Sequence, residues 1–300
     1  MYKLLFTGAS GFVGKYNLSY LNKLYDVKTI GLAVEDHYQH NIALNIPIFS
    51  EKFDIVLHAA GKAHSVPTTE MENQVFFDVN LKGTKNLCVA LEQSGIPKSF
   101  IFISSVAVYG LDTGENITED YPLKGNTAYA LSKIQAEEFL TQWCKKHDVV
   151  LSILRPSLIA GPQPPGNLGA MIKGIKSGRY LSIAGGKARK SILMVQDIAK
   201  LIPLLTEKGG TYNVCDSQHP TFREIEKTIA RQLGKTMPIN IPYFFAKIMA
   251  IIGDQLGDGF PINSDKLSKI TKSLTFSNEK ARNDLNWEPL NVIENFNIEN

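Results

Sequence analysis

The sequence predicts an α/β fold, a doubly wound parallel sheet followed by a smaller C-terminal α/β region. Three observations lead there. Apolar runs without polar alternation recur at Met1–Phe6, Phe53–Leu57, Ser99–Ile103 and Leu151–Leu154, as expected of strands buried on both faces of a parallel sheet. The first run passes at once into a glycine-rich turn and then a helical stretch, the order that begins a βαβ unit. From about Ser157 the pattern changes to breaker-rich loops and shorter helices. The expected division is residues 1–156, with some later segments returning to that first region, and residues 157–300. A chain of 300 residues suits one large α/β domain or two abutting ones, and a 44% hydrophobic content supports a full core.

Taken in order, the first strand leads into Thr7-Gly8-Ala9-Ser10-Gly11-Phe12-Val13-Gly14 and a helix from about Lys15 to Leu24. Gly8 permits the tight turn. Gly11 lets a pyrophosphate approach the backbone at the helix N-terminus, where free N–H groups and the dipole favour anions. Gly14 lets helix and strand pack closely. Alone, such a pattern is also compatible with a βα turn that binds nothing. Asp26 to Leu32 reads as the second strand. An acid at its end would bind ribose hydroxyls, but Gly31, Leu32 and Ala33 stand there, with Glu35 and Asp36 in what reads as loop. No arginine is placed for a 2′-phosphate, so NAD and NADP both stay open. Val34–Phe49 reads as an irregular connection. Phe53–Gly61 is the clearest central strand; its small residues Ala59, Ala60 and Gly61 suit a backbone lying against a cofactor, and His58 reads as a core or loop histidine rather than a ligand.

Ser105 follows the buried run Ser99–Ile103, and after a loop at Asp112–Thr127 come Tyr129 and Lys133. Four residues apart on a helix, they share one face, and Ile134–Leu140 is rich in helix formers. A free tyrosine, with a pKa of about 10, is a poor base at neutral pH. A neighbouring ammonium favours the phenolate, and a serine hydroxyl can bond an oxygen that alternates between alcohol and ketone. The set suits proton transfer at a carbinol carbon. The pentapeptide by itself would be read as a surface pair; its force comes from the glycine turn upstream.

Together the glycine turn, Ser105 and Tyr129-x-x-x-Lys133 resemble the extended short-chain dehydrogenase/reductase family, whose NAD(P)-dependent members are nucleotide-sugar epimerases, dehydratases and reductases. The resemblance implies a Rossmann-type sheet with a C-terminal substrate domain. It implies that Ser105, Tyr129 and Lys133 are catalytic. It implies that Gly8, Ser10, Gly11, Phe12, Val13, Gly14, Ala59, Ala60, Gly61, Asn80 and Pro156 hold NAD or NADP with Tyr129 and Lys133. His58-Ala59-Ala60 and Asn80-Leu81-Lys82-Gly83-Thr84 match family motifs, the asparagine bridging helix and strand; Asn45-Ile46 falls where relatives carry an adenine-contacting aspartate. In the C-terminal part Asn167, Arg189, Lys190 and Arg282 fall where a nucleotide diphosphate is held, Lys190 in place of an arginine, and Glu279–Pro289 is close to the signature of nucleotide-sugar epimerases. Solvated surface charge is the alternative for the basic residues.

A net charge of +3 gives no argument for nucleic acid or an anionic membrane as partner. Cys88, Cys144 and Cys215 are odd in number and widely spaced, which suggests neither disulfides nor a metal site and fits a reducing compartment. No signal-peptide pattern precedes the first strand, and the apolar stretch Phe244–Gly253 is too short to span a bilayer. A cytoplasmic protein is expected, in polysaccharide-precursor chemistry if the resemblance holds, with a homodimer as candidate assembly. The 4,6-dehydratases carry an Asp-Glu pair after the catalytic hydroxyl residue; here Val106 and Ala107 stand there and cannot move protons. The leading reading is an epimerase at C4 of a nucleotide-diphosphate sugar, through a transient 4-keto intermediate. The alternatives are a 4-keto reductase, which the run from His58 to His64 and the basic loop also resemble, and an idle NAD(P)-binding regulator, against which the intact Ser105, Tyr129 and Lys133 argue.

Overall fold

The computed structural model describes residues 1–63, 65–256 and 262–298; His64, the end of the run compared above, lies outside them. The strands of the first part are β1 (Lys3–Thr7), β2 (Asp26–Gly31), β3 (Tyr38–Gln39), β4 (Ile55–His58), β5 (Ser99–Ile103), β6 (Gly114–Ile117) and β7 (Val150–Pro156). Those of the second part are β8 (Leu158–Ala160), β9 (Leu181–Ile183), β10 (Ile192–Met194), β11 (Gly210–Val214), β12 (Ile239–Ile241) and β13 (Leu274–Phe276). The helices are α1 (Phe12–Leu21), α2 (Glu70–Phe77), α3 (Gly83–Ser94), α4 (Ala128–His147), α5 (Gly166–Lys176), α6 (Asp197–Leu205), α7 (Phe222–Gln232), α8 (Tyr243–Leu256), α9 (Ser264–Thr271), α10 (Glu279–Leu285) and α11 (Val292–Asn295).

Seven parallel strands form the main sheet in the order β11-β7-β5-β4-β1-β2-β3. Alternate residues of each strand point to opposite faces, and both faces are covered. Leu4, Phe6, Ile55, Leu57, Ile101 and Ile103 pack on α1, α6 and α10. Leu5, Val56, Phe100, Phe102 and Ile153 pack on α3 and α4. This is why the strands read as unbroken apolar runs. Strand order reverses between β1 and β4, so a crevice opens at their C-terminal ends, where doubly wound sheets bind ligands. The chain beyond residue 157 contributes β11, α6 and α10 to this sheet and its cover. It also forms a cluster of α5, α7, β8, β10 and α11, and a smaller one beneath α8 and α9.

Three local details depart from the sequence reading. The first helix starts at Phe12 and ends at Leu21, not at Lys15 and Leu24. The loop expected over Asp112–Thr127 contains β6, which pairs with β13. The irregular connection over Val34–Phe49 contains the two-residue β3, which extends the sheet beyond β2.

Candidate active site

The crevice is lined first by the glycine turn. Gly8 adopts φ +76°, and a Cβ there would lie 2.6 Å from the Ala60 backbone nitrogen. The tips of β1 and β4 therefore meet backbone to backbone. At Gly14 a Cβ would sit 2.2 Å from the Ala9 carbonyl oxygen, so α1 is pressed onto its own turn. Gly11 differs: a Cβ would meet only the Gly8 carbonyl oxygen, at 3.2 Å. Gly11 is the N-cap of α1 and has no side chain to cap the first turn. The leading N–H groups are thus left to an external acceptor. The turn, the small residues at Ala59–Gly61 and this helix end form a cradle that fits a dinucleotide pyrophosphate.

Beneath the cradle lies a satisfied polar chain. The Ala60 N–H donates to Thr7 Oγ1 (3.0 Å), which is 2.7 Å from His58 Nδ1; His58 Nε2 is 2.8 Å from Thr84 Oγ1, which donates to the Asn80 carbonyl (2.6 Å). Because the Thr84 proton is used on Asn80, Nε2 must carry the imidazole proton and Nδ1 must accept from Thr7. Burial, aided by the Lys133 charge, pushes the His58 pKa down to about 3. This histidine is a neutral core residue. Asn80 sits in a π-helical turn, Asp78–Lys82, between α2 and α3, an irregularity common at functional sites. Its side chain accepts from the Lys62 N–H (2.8 Å) and donates to Ser132 Oγ (2.9 Å), tying the β4 loop to α4.

Ser105 leaves β5 in extended conformation and caps the 3-10 turn Val106–Tyr109, its Oγ accepting from the Ala107 N–H at 3.1 Å. Thr127 caps α4 in the same way, which fixes where the helix starts and so where Tyr129 lies. Burial raises the Tyr129 pKa, and the neighbouring Ser105 hydroxyl opposes the rise. Lys133 is buried, and its Nζ donates to the Ile103 carbonyl at 2.8 Å. Burial pushes its pKa down to about 8, with Glu137 acting the other way. The sequence expectation that the ammonium lowers the phenol's pKa therefore differs from what is seen: desolvation dominates Tyr129, and Lys133 is turned to the end of β5. A Cβ at Gly61 would lie 3.2 Å from Lys133 Nζ, so the ammonium also abuts the tip of β4.

Several contributors carried no motif. Arg155, in the last pair of β7, forms a buried ion pair with Glu137 at 2.6 Å and donates to the Tyr109 hydroxyl at 3.0 Å. Glu137 also accepts from Ser104 Oγ. The group braces the ends of β5, β7 and α4 beside Ser105. A charged residue closing an apolar strand run, and a glutamate one turn beyond Lys133, were the available signals. The Asp36 carboxylate, expected to be in loop, turns back to the end of β2, where it accepts from the Ala33 N–H (3.0 Å) and lies against Gly31.

The C-terminal candidates are placed less uniformly. Asn167 is exposed in the first turn of α5. Lys190 donates to the Lys272 carbonyl at 3.1 Å; burial lowers its pKa to about 8, and Asp112, in the loop beyond Tyr109, favours its charge. Arg189 donates to the His219 carbonyl at 3.0 Å, and Arg282 pairs with Glu288 at 2.9 Å. Arg189 and Lys190 thus have their own protein partners at one edge, and Arg282 is engaged by the segment that follows its helix. Among the described residues no His, Cys, Asp and Glu group is placed to hold a metal.

Residues 4–215 match the sequence profile of the NAD dependent epimerase/dehydratase family. Among curated relatives, an Escherichia coli O157:H7 N-acetyl-alpha-D-glucosaminyl-diphospho-ditrans,octacis-undecaprenol 4-epimerase is 28% identical over 93% of this chain and 88% of its own. A Pseudomonas aeruginosa GDP-6-deoxy-D-mannose reductase is 30% identical over 76% of this chain and 79% of its own. The structure of a Bacillus cereus UDP-glucuronic acid 4-epimerase, in complex with UDP-glucuronic acid and NAD, superposes with a TM-score of 0.75 at 18% identity, covering 98% of this chain and 96% of that one.

Proposed function

This chain belongs to the NAD dependent epimerase/dehydratase family, and from that premise we propose that it is a 4-epimerase of a sugar carried on a diphosphate, acting through a transient 4-keto intermediate. The observation that carries the reading is the Ser105–Tyr129 pair at the tip of β5, with Lys133 one turn on, facing the cradle at β1 and β4. When bound there, a nicotinamide dinucleotide supplies the acceptor and donor of the two electrons that leave and return to C4. Gly8, Gly11 and the α1 N-terminus would hold its pyrophosphate, and Ala59–Gly61 the backbone wall beside it. The Asp36 carboxylate at the end of β2 would take ribose hydroxyls and repel a 2′-phosphate, which favours NAD.

Tyr129 takes the proton from the C4 hydroxyl as that carbon becomes a ketone and returns it on reduction. The Ser105 oxygen already accepts from Ala107, so its proton is available to the reacting oxygen in either state. Val106 and Ala107 line the same turn and offer no acid or base, which argues against a dehydratase. A single reduction of a 4-keto sugar is the second reading, favoured by the 30% identity to a GDP-6-deoxy-D-mannose reductase.

Label placement distinguishes the two. Purified protein would be incubated with UDP-N-acetylglucosamine or UDP-glucose deuterated at C4. An epimerase yields the C4 epimer with the label retained at C4. A reductase leaves these substrates unchanged and transfers label from deuterated NADPH to a 4-keto sugar. No turnover in either assay, with N-acetylglucosaminyl-diphospho-undecaprenol added to the first as a third substrate, would overturn both readings.

A further inference from the structure

Glu137 stands one helical turn beyond Lys133 and two beyond Tyr129, on the same side of α4. It is 3% exposed, and its partner Arg155, near the end of β7, is 6% exposed. Arg155 grips the carboxylate as a fork: Nη2 donates to Oε2 at 2.6 Å and Nε to Oε1 at 3.2 Å. Each member has bonding capacity left over. Glu137 Oε1 also accepts from the Ser104 hydroxyl. Arg155 Nη1 donates to the Tyr109 hydroxyl at 3.0 Å and to the Glu119 carbonyl at 3.2 Å. Ser104 and Tyr109 stand at the two ends of one short turn. Ser104 immediately precedes Ser105, which caps the turn, and Tyr109 is its last residue.

An apolar pair could fill the same space without the desolvation penalty that two buried charges must recover. It could not direct its neighbours. The carboxylate fixes the start of the turn and the guanidinium fixes its end, and both are anchored to α4 through Glu137. The same joint reaches the sheet. The Ser104 N–H donates to the Leu154 carbonyl of β7 at 2.7 Å, and the Tyr109 hydroxyl to Asn213 Oδ1 of β11 at 2.6 Å. Inside the turn the bonds are longer. The Ala107 N–H reaches Ser105 Oγ at 3.1 Å, the Val108 N–H the Ser105 carbonyl at 3.3 Å, and the Gly110 N–H the Ala107 carbonyl at 3.1 Å. The seat of the turn on α4 is therefore set from its two ends, and the approach of Ser105 to Tyr129 follows from it.

We propose that Glu137 and Arg155 are positioning residues for the reaction: paired, they hold both ends of the turn that carries Ser105 against the helix that carries Tyr129 and Lys133. This role rests on the reading of Ser105, Tyr129 and Lys133 above. Two double variants test it. E137M/R155M replaces the pair with unbranched side chains, leaves no charge unpaired, and should keep a cooperative melt near that of wild type. S104A/Y109F keeps the ion pair and removes only the hydroxyls it holds, so it carries the test if the first variant fails to fold. Amide hydrogen exchange at Ala107, Val108 and Gly110 should quicken at least about tenfold in either variant. With the substrates named above, kcat should fall by about ten- to a hundredfold, while KM and cofactor affinity stay within about twofold of wild type. Exchange at the wild-type rate, or kcat within about twofold of wild type in a folded variant, overturns the proposal. So does a loss of cofactor affinity as large as the loss of kcat, which marks a collapsed site. Tyr129→Phe is measured alongside. Turnover that is absent in wild type, or unchanged in Tyr129→Phe, sinks the reading of the site, and exchange alone then decides whether the pair holds the turn.

Discussion

Burial raises the Tyr129 pKa, so the proton transfer proposed for it is tested most directly by removing the hydroxyl. Tyr129→Phe removes only the hydroxyl and keeps the ring, whose centroid is 6.2 Å from that of Phe76. Stability should hardly change, while kcat should fall by about a hundred- to ten-thousand-fold with cofactor affinity intact. Near-normal turnover would remove the assignment. Lys133→Met should lower the rate with little movement of the pH-rate profile, because its ammonium joins the tips of β4 and β5; a clear alkaline shift would show instead that the ammonium stabilises the phenolate. His58 is titratable in another sense. Its folded pKa, about 3, lies below its ordinary 6.5, so the unfolded chain takes up the proton first as pH falls. Stability is therefore lost between pH 6.5 and 3, on the order of 5 kcal/mol when fully developed. His58→Gln should be less stable at neutral pH but lose stability less steeply on acidification. Urea unfolding at pH 7 and pH 4.5 measures this, and parallel losses in the two proteins would refute it. The serine, tyrosine and lysine were legible because four-residue spacing and strand ends are sequence features. The carbonyl that Lys133 bonds is 30 residues away, and the Arg155 partner Glu137 is 18 away across two elements; neither follows from local pattern.

At the scale of elements, the β1–turn–α1 unit was legible because each glycine answers to a different steric demand. That difference is testable. Gly14→Ala drives a methyl into the Ala9 backbone at 2.2 Å, so α1 must move off its turn. We expect the fold to be destabilised by about 1–3 kcal/mol or more, with cofactor affinity falling as a consequence. At Gly11 an added Cβ meets only the Gly8 carbonyl oxygen, at 3.2 Å, and the residue is exposed, so Gly11→Val has room to turn its branch outward. Its thermal unfolding should stay near wild type while a branched side chain blocks approach to the α1 N–H groups, and cofactor fluorescence titration should show binding lost. Equal stability losses in the two, or unchanged cofactor affinity in Gly11→Val, would break the distinction. The elements that escaped the sequence reading are short. β3 has two residues and β6 has four, too few for periodicity to register. β6 exists through pairing with β13, about 160 residues downstream, together with the Asn116 N–H to Thr275 Oγ1 bond at 2.9 Å.

At the scale of the whole molecule, the boundary near residue 156 separates two sequence textures, but it does not separate two cores. Among the described residues, one cover of the main sheet holds 22 buried residues, and half of them, from Leu193 to Trp287, come from beyond that boundary. β7 is bonded to β5 on one side and to β11 on the other. A fragment ending at Pro156 would keep the glycine turn, Ser105, Tyr129 and Lys133, yet it would leave β7 as a bare edge and strip α6 and α10 from the sheet. Burying one large apolar side chain is worth about 1.5–3 kcal/mol. Nine of the eleven lost partners are large apolar side chains, Ala199 and Ala281 being the exceptions, so the loss matches or exceeds a whole domain's stability of about 5–15 kcal/mol. The expected outcome is that residues 1–156 are recovered insoluble, or soluble without a cooperative thermal transition and without cofactor binding. Adding residues 157–300 as a separate chain should restore both, because the missing strand and helices lie in that piece. A 1–156 fragment that melts cooperatively and binds NAD on its own would show that the first half folds independently, and that the returning segments only decorate it.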